Sequence, residues 1–247
     1  MPKSVIFIDS EINPADNRVT DLGAVSENGT GFHSPRVSAL RDFIGQADFV
    51  CGHNIVRHDL RYLSSLFDPP LTAGAIDTLY LSPLLFPNRP YHRLLKDDKL
   101  QSDELNNPLN DAQKARELFY DEVSAFEALP KSTRRIFCCL LYNFSEFRGF
   151  FDYIGERPYR LIGPVQVQYN LPRMIAESYA GRICEHAPVE VLINDRPIEL
   201  AYAFPQGNKR RGTECGNKGR QCQESAHAAL LHDNKGIHHE ARRAFRG

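Results

Sequence analysis

The chain has 247 residues, 42% of them apolar and 25% charged, with a formal net charge of −1. That is enough to bury a core in one or two domains, and it excludes a protein that grips nucleic acid by global positive charge. No apolar run has the length of a membrane span, the opening MPKSVIFIDSE has no signal-peptide pattern, and six scattered cysteines (Cys51, Cys138, Cys139, Cys184, Cys215, Cys222) show no disulfide spacing; the expectation is no membrane and a reducing, cytoplasmic setting.

Residues 4–9, SVIFID, form a β-branched and aromatic run that predicts a buried strand. Residues 18–34 predict two strands around the turn signal Glu27-Asn28-Gly29. A short amphipathic helix is expected over 38–46, a strand over 47–54 ending at Gly52, and a helix over 56–67 from Val56, Leu60, Leu63 and Phe67. Residues 74–86 read as a short strand and a helix. Residues 107–129 read as a long helix, with Asn107 at its N-cap, Pro108 at its first position and Pro130 beyond its end. A hairpin followed by alternating strands and helices predicts an α/β domain with a mixed sheet over 1–128.

Residues 129–203 change to a helical period, carried by Ile136, Phe137, Leu140, Leu141, Phe144, Phe147 and Phe151. Asn170 and Pro172 are read as opening one helical segment, and 188–204 as another. From 204 to 247 the chain is polar and Gly-rich. Nine Lys or Arg against four Asp or Glu give it about +5, against about −6 for the rest. Such a tail is expected to be disordered, or the product of a truncation or shifted frame. Its Cys215, Cys222, His227 and His232 depart from the usual zinc-ligand spacing and are read as coincidence.

The chemistry-bearing residues are acids. Asp9 and Glu11 flank Ser10 at the end of the first strand, and the two-residue period of a strand points both carboxylates to one side. Two like charges held close favour a divalent cation between them. Asp59 and Asp111 each lie in the first turn of an expected helix, where the helix dipole alone favours an acid. Each acid singly is weak; the order strand end, helix start, helix start is more specific.

Three segments, FIDSEINPADNRVTDLGAV, VCGHNIVRHDLRYL and, in part, NNPLNDAQKA, resemble in this order the exonuclease motifs of the DEDD 3′–5′ exonuclease superfamily. The resemblance covers roughly residues 4–128. It implies a ribonuclease H-like five-stranded mixed sheet flanked by helices. By the same resemblance Asp9, Glu11, Asp59 and Asp111 match the metal-binding acids, with two Mg²⁺ or Mn²⁺ ions as cofactors. His53 and Asn54 would shape the pocket of the terminal nucleotide, and His58 is given a surface role. The implied partner is nucleic acid with a free 3′ end, DNA ahead of RNA. Arg93, Lys96 and Lys99 are candidate phosphate contacts, with solvated surface as the plain alternative.

The helical part resembles the segment that follows such a domain in some bacterial exonuclease–helicase fusions. That implies a helicase partner, or a helicase part outside this sequence. No G-x-x-x-x-G-K-[ST] is present.

The departure from the pattern is the general base. Where one branch of the superfamily has a histidine this chain has Asn106, and where another has a tyrosine it has Asn107. His92 stands either as the replacement base or as a histidine packed against the sheet. Two rival readings remain beside the nuclease: a decayed, non-catalytic nucleic-acid-binding or interaction module, and a phosphoacceptor domain with Asp9 at a strand end. The latter needs a mostly parallel sheet.

Overall fold

The computed structural model describes residues 3–67, 71–87, 89, 92, 94, 107–158, 164–180 and 188–203, with side chains left out at 164–169 and 203. Arg93, Lys96, Lys99, Asn106 and the whole tail from 204 lie outside the described residues.

Strand β1 (Val5–Asn13) organises the sheet. It pairs antiparallel with β2 (Arg18–Ser26) on one side and parallel with β4 (Phe49–Gly52) on the other. β3 (Gly31–His33) extends the β2 edge antiparallel, and β5 (Gly74–Asp77) extends the β4 edge in parallel. The order is β3-β2-β1-β4-β5, a five-stranded mixed sheet in an α/β fold. The expected antiparallel pairing of 18–26 with the first strand is present, and a mostly parallel phosphoacceptor sheet is not what the chain builds. The predicted turn also forms, with Gly29 at φ 86° and its N–H donating to the Ser26 carbonyl.

Alternation along β1 sends its apolar residues to two covered faces. Ile8, Leu22 and Ala24 pack with Leu40 and Ile44 of α1 (Val37–Ile44), and with Leu63 of α2 (Asp59–Leu63). Phe7 faces the other way and meets Phe119 of α4 (Pro108–Glu127), ring centroids 5.6 Å apart. α3 (Thr78–Leu85) follows β5 directly.

Further helices are α5 (Lys131–Leu141), α6 (Ser145–Ile154), α7 (Pro164–Ser178), α8 (Val189–Asp195) and α9 (Pro197–Ala203). The chain divides into two interleaved compact units. One holds the sheet, most of α4, and α6. The other holds α5, α7, α8 and α9. The stretch 129–203 therefore does not stay in one piece, because α6 returns to the sheet. There Phe150 meets Phe119, Tyr153 meets Phe49, and Gly149 lies against β5.

Some boundaries differ from the sequence reading. β1 runs to Asn13, because pairing with β2 holds it extended past the acids. α7 begins at Pro164, so Pro172 sits inside it rather than near its start. Residues 188–204 form two helices. Pro197 forces its predecessor out of helical geometry, and Arg196 has φ −142°.

Gly149 gives a direct test of the return of α6. A Cβ there would fall 1.8 Å from the Ala75 carbonyl oxygen, a backbone atom that cannot rotate away. Gly149→Ala is expected to destabilise the sheet unit by at least about 1–3 kcal/mol through overpacking. Chemical denaturation against the wild type measures it, with Gly155→Asn, at an open left-handed position, as the tolerated control.

Candidate functional site

The first motif is set by sheet register. Asp9 pairs with Gly23, and Glu11 with Asp21. Directly opposed residues share a face, so Asp9 and Glu11 project to the side on which α4 lies. Gly23 has no side chain, and the first turn of α4 uses that space. A Cβ at Gly23 would fall 2.1 Å from Leu109 N and from the Pro108 carbonyl carbon. The start of α4 is thus seated on the strand residue opposite Asp9.

Asn107 fixes that start, its Oδ1 accepting the Leu109 N–H at 3.0 Å, as its N-cap pattern predicts. Asp111 follows within the same turn, half-buried, with Lys114 Nζ 3.8 Å away. Beyond Asp21, His33 Nε2 meets Asp21 Oδ2 at 2.7 Å.

The second motif is held by a residue that sequence reasoning missed. Asp77, fully buried at the end of β5, accepts three backbone N–H groups: Asn54 at 2.9 Å, Val56 at 3.1 Å and Leu79 at 3.0 Å. Asn54 itself has φ 69°. This clamp explains why helical geometry starts at Asp59 and not at Val56. Residues 55–58 form turns instead, with a wide Leu60 N to Ile55 O bond of 2.9 Å.

Arg57 leaves this loop to bond Glu146 at the start of α6, at 3.0 Å from Nε and 2.8 Å from Nη2. Burial raises the Glu146 pKa, but bonds from its own backbone N–H, Arg57 and Ser145 outweigh that and hold the carboxyl below its usual range.

Asp59 is 1% exposed, and its Oδ1 accepts a 2.6 Å hydrogen bond from Ser10 Oγ. Ser10 is the residue between Asp9 and Glu11, so the second-motif acid is bonded to the middle of the first motif. It reaches β1 from the face opposite the α4 side. His58 lies at the surface as expected, its side chain 46% exposed. His58 is the N-cap rather than a helical residue, and its Nδ1 turns back to within 3.7 Å of Asp59 Oδ2. The Asp59 carboxylate, then Glu11, raise the His58 pKa against the opposing effect of burial. Glu11 and Asp59 therefore act on one imidazole from the two sides of the strand.

His53 Nδ1 lies 2.9 Å from Thr78 Oγ1, which ties the end of β4 to the start of α3. His92 is buried at 6% exposure, with Nδ1 3.0 Å from Ser82 Oγ on α3. Sheet alternation turns Asp9 and Glu11 to the side of β1 on which the start of α4 lies, and Asp59 meets Ser10 on the other. Among the described residues, no three His, Cys, Asp or Glu side chains form a closed metal-binding group. Also among them, no helix is long and apolar enough to cross a membrane. The one signal for Asp77 in the sequence was an acid closing an apolar run, as Asp9 does; nothing local linked it to residues 54–56.

No family model matches the chain, and neither curated proteins nor solved structures yield a match.

Asp77 makes stability depend on pH in a direction opposite to that of most acids. Burial pushes its carboxyl from 3.8 up to about 7, against the lowering effect of the three N–H groups. The folded state then binds the proton more tightly than the unfolded chain. The stability this confers is complete below about pH 4 and is lost as pH rises through about 7. Asp77→Asn should flatten that fall in urea denaturation between pH 5 and pH 8. Asp77→Ala, which strips acceptors from buried N–H groups, should cost at least about 1–3 kcal/mol at either pH.

Proposed function

We propose that the chain is a metal-dependent 3′–5′ exonuclease of ribonuclease H-like fold, hydrolysing phosphodiester bonds at nucleic-acid 3′ ends. The observation that carries this reading is the Ser10–Asp59 hydrogen bond. It joins two motifs 49 residues apart, the two that most closely resemble those of the DEDD superfamily. The mixed sheet and the seating of α4 on Gly23 support the same reading.

Asp9, Glu11, Asp59 and Asp111 would hold two Mg²⁺ or Mn²⁺ ions. The donor chemistry fits: all are carboxylate oxygens, which suit hard cations. The combined pull of Glu11 and Asp59 on His58 marks a concentration of negative charge there. When bound, such ions lower the pKa of a water molecule and stabilise charge on the attacking and leaving oxygens. Positive charge brought in this way answers how a chain of net charge −1 engages a polyanion.

The protein's own share is positional. Ser10 orients the Asp59 carboxylate. The Asp77 clamp fixes Asn54, and the Thr78 hydroxyl holds His53, beside the strand ends, where the terminal nucleotide would lie. The start of α4 presents Asp111. His92 is kept as the proton-accepting residue, since Asn107 is committed to capping α4 and does not titrate. That commitment is also the observation favouring the second reading, a module that binds nucleic acid without cutting it.

Oligonucleotides labelled at the 5′ or the 3′ end, incubated with and without Mg²⁺ or Mn²⁺, test the proposal. Stepwise shortening of the 5′-labelled strand and immediate mononucleotide release from the 3′-labelled one are expected, only with metal. Asp9→Ala and Asp59→Ala should abolish release while keeping the fold, and Ser10→Ala should lower it about 10–100-fold. His92→Ala should slow turnover about 10²–10⁴-fold and remove the rise of rate through the histidine pH range. Binding without release by the wild type would favour the non-cutting module; neither binding nor release would remove both.

A further inference from the structure

A second histidine stands on the face of the sheet that carries Asp9 and Glu11. Register sets Glu11 opposite Asp21, Asp9 opposite Gly23, and Gly23 opposite His33 of β3. Opposed residues share a face, so Asp9, Glu11, Asp21 and His33 lie on one side, the side of α4. His33 Nε2 lies 2.7 Å from Asp21 Oδ2, and Asp21 Oδ1 accepts the Leu22 N–H at 2.9 Å. A carboxylate oxygen only accepts, so Nε2 carries the hydrogen and Nδ1 is the nitrogen left to exchange a proton.

Both oxygens of Asp21 are thus engaged, and strand pairing continues past the histidine, with Ser34 N donating to Leu22 O at 3.0 Å. The imidazole is held yet open, its side chain 44% exposed against 32% for Asp21. The start of α4 fills the space over Gly23. The way from the acids to His33 therefore runs past Glu11 and Asp21, whose Cα atoms stand about 4.5–5.5 Å apart as opposed residues of antiparallel strands. An aspartate directly opposite Glu11 weakens the strand pairing, since like charges face each other, and that aspartate is the residue that holds His33.

The order of strands says what this histidine would meet. β4 and β2 flank β1 on opposite sides. The parallel register levels Phe7 with Cys51, so His53, just past the end of β4, comes level with Asp9. A terminal nucleotide on His53 and Asn54, with its 5′-phosphate at the acids, leaves the rest of the strand toward β2 and β3. The bond cut in 3′–5′ release joins that phosphate to the 3′ oxygen of the preceding nucleotide. The departing oxygen therefore faces the side of His33.

We propose that His33, oriented by Asp21, donates the proton to the departing 3′ oxygen. The proposal rests on the nuclease reading and adds a catalytic residue to it. The water oxygen bonds to phosphorus as the bond to the 3′ oxygen breaks, and the electron pair of that bond stays on the 3′ oxygen. That oxygen takes the Nδ1 proton of the His33 imidazolium, while the proton lost by water goes to His92. His33 is left neutral, its Nε2–H still on Asp21, and its exposure lets solvent return the proton. The products are a nucleoside 5′-monophosphate and a strand ending in a 3′-hydroxyl.

The test is single-turnover release with Mn²⁺ from two 5′-labelled oligothymidylates. One has ordinary linkages; in the other, sulfur replaces the bridging 3′ oxygen of the last linkage. A thiolate departs without a proton, so the sulfur strand needs no donor. His33→Ala should slow release from the ordinary strand about 10²–10⁴-fold and leave the sulfur strand close to the wild-type rate. Asp21→Asn should act in the same sense more weakly, and His92→Ala should slow both strands alike. Mn²⁺ calorimetry should give His33→Ala the wild-type isotherm, since the four carboxylates remain. If His33→Ala releases from the ordinary strand like the wild type, or slows both strands equally, His33 donates no proton and the nuclease reading stands. If the wild type shortens neither strand, the nuclease reading fails and the proton donor with it.

Discussion

A single buried carboxylate holds the second motif in place. Asp77 accepts backbone N–H groups of Asn54 and Val56, in the loop before α2, and of Leu79, at the start of α3. Burial opposes its charge, and the three donors oppose the burial. The result is a rigid turn in which Asn54 takes a left-handed conformation and Asp59 becomes the first helical residue. Shift that start by one residue and Asp59 rotates about 100° around the helix, away from Ser10. The bond between the two motifs depends on this anchoring.

A second constraint acts on the other side of the sheet. Gly23 lies opposite Asp9 and leaves room for the backbone of Pro108 and Leu109. Any side chain at that position would push α4 off the strand and carry Asp111 with it. The acids thus depend on two contacts made by backbone atoms. Arg57 and Glu146 add a tie from the same loop to α6, so the loop, β5 and α6 brace one another.

Locally encoded features were the legible ones. The run SVIFID, the turn at Gly29, and the Asn107 cap with Pro108 after it each depend on residues within a few positions of one another. The two-residue period put Asp9 and Glu11 on one face, as their register against Gly23 and Asp21 has them. What stayed hidden was long-range. Ser10 read as a spacer, yet it is bonded to Asp59 across 49 residues. Asp77 drew no reading of its own, because two of its three donors come from 54–56 and only the sheet brings them near. His58 sits at the surface as expected, but the helix expected from 56 starts only after it, at Asp59. α6 read as part of a helical region, since nothing in its own sequence says that Gly149 fits against Ala75.

The central claim is that these contacts gather carboxylates to hold a hard divalent cation, and a Mn²⁺ titration followed by calorimetry tests it most directly. The account predicts saturable binding by the wild type, lost in Asp59→Asn and weakened in Asp77→Ala, with circular dichroism confirming that Asp59→Asn stays folded. An Asp59→Asn isotherm indistinguishable from that of the wild type would contradict it.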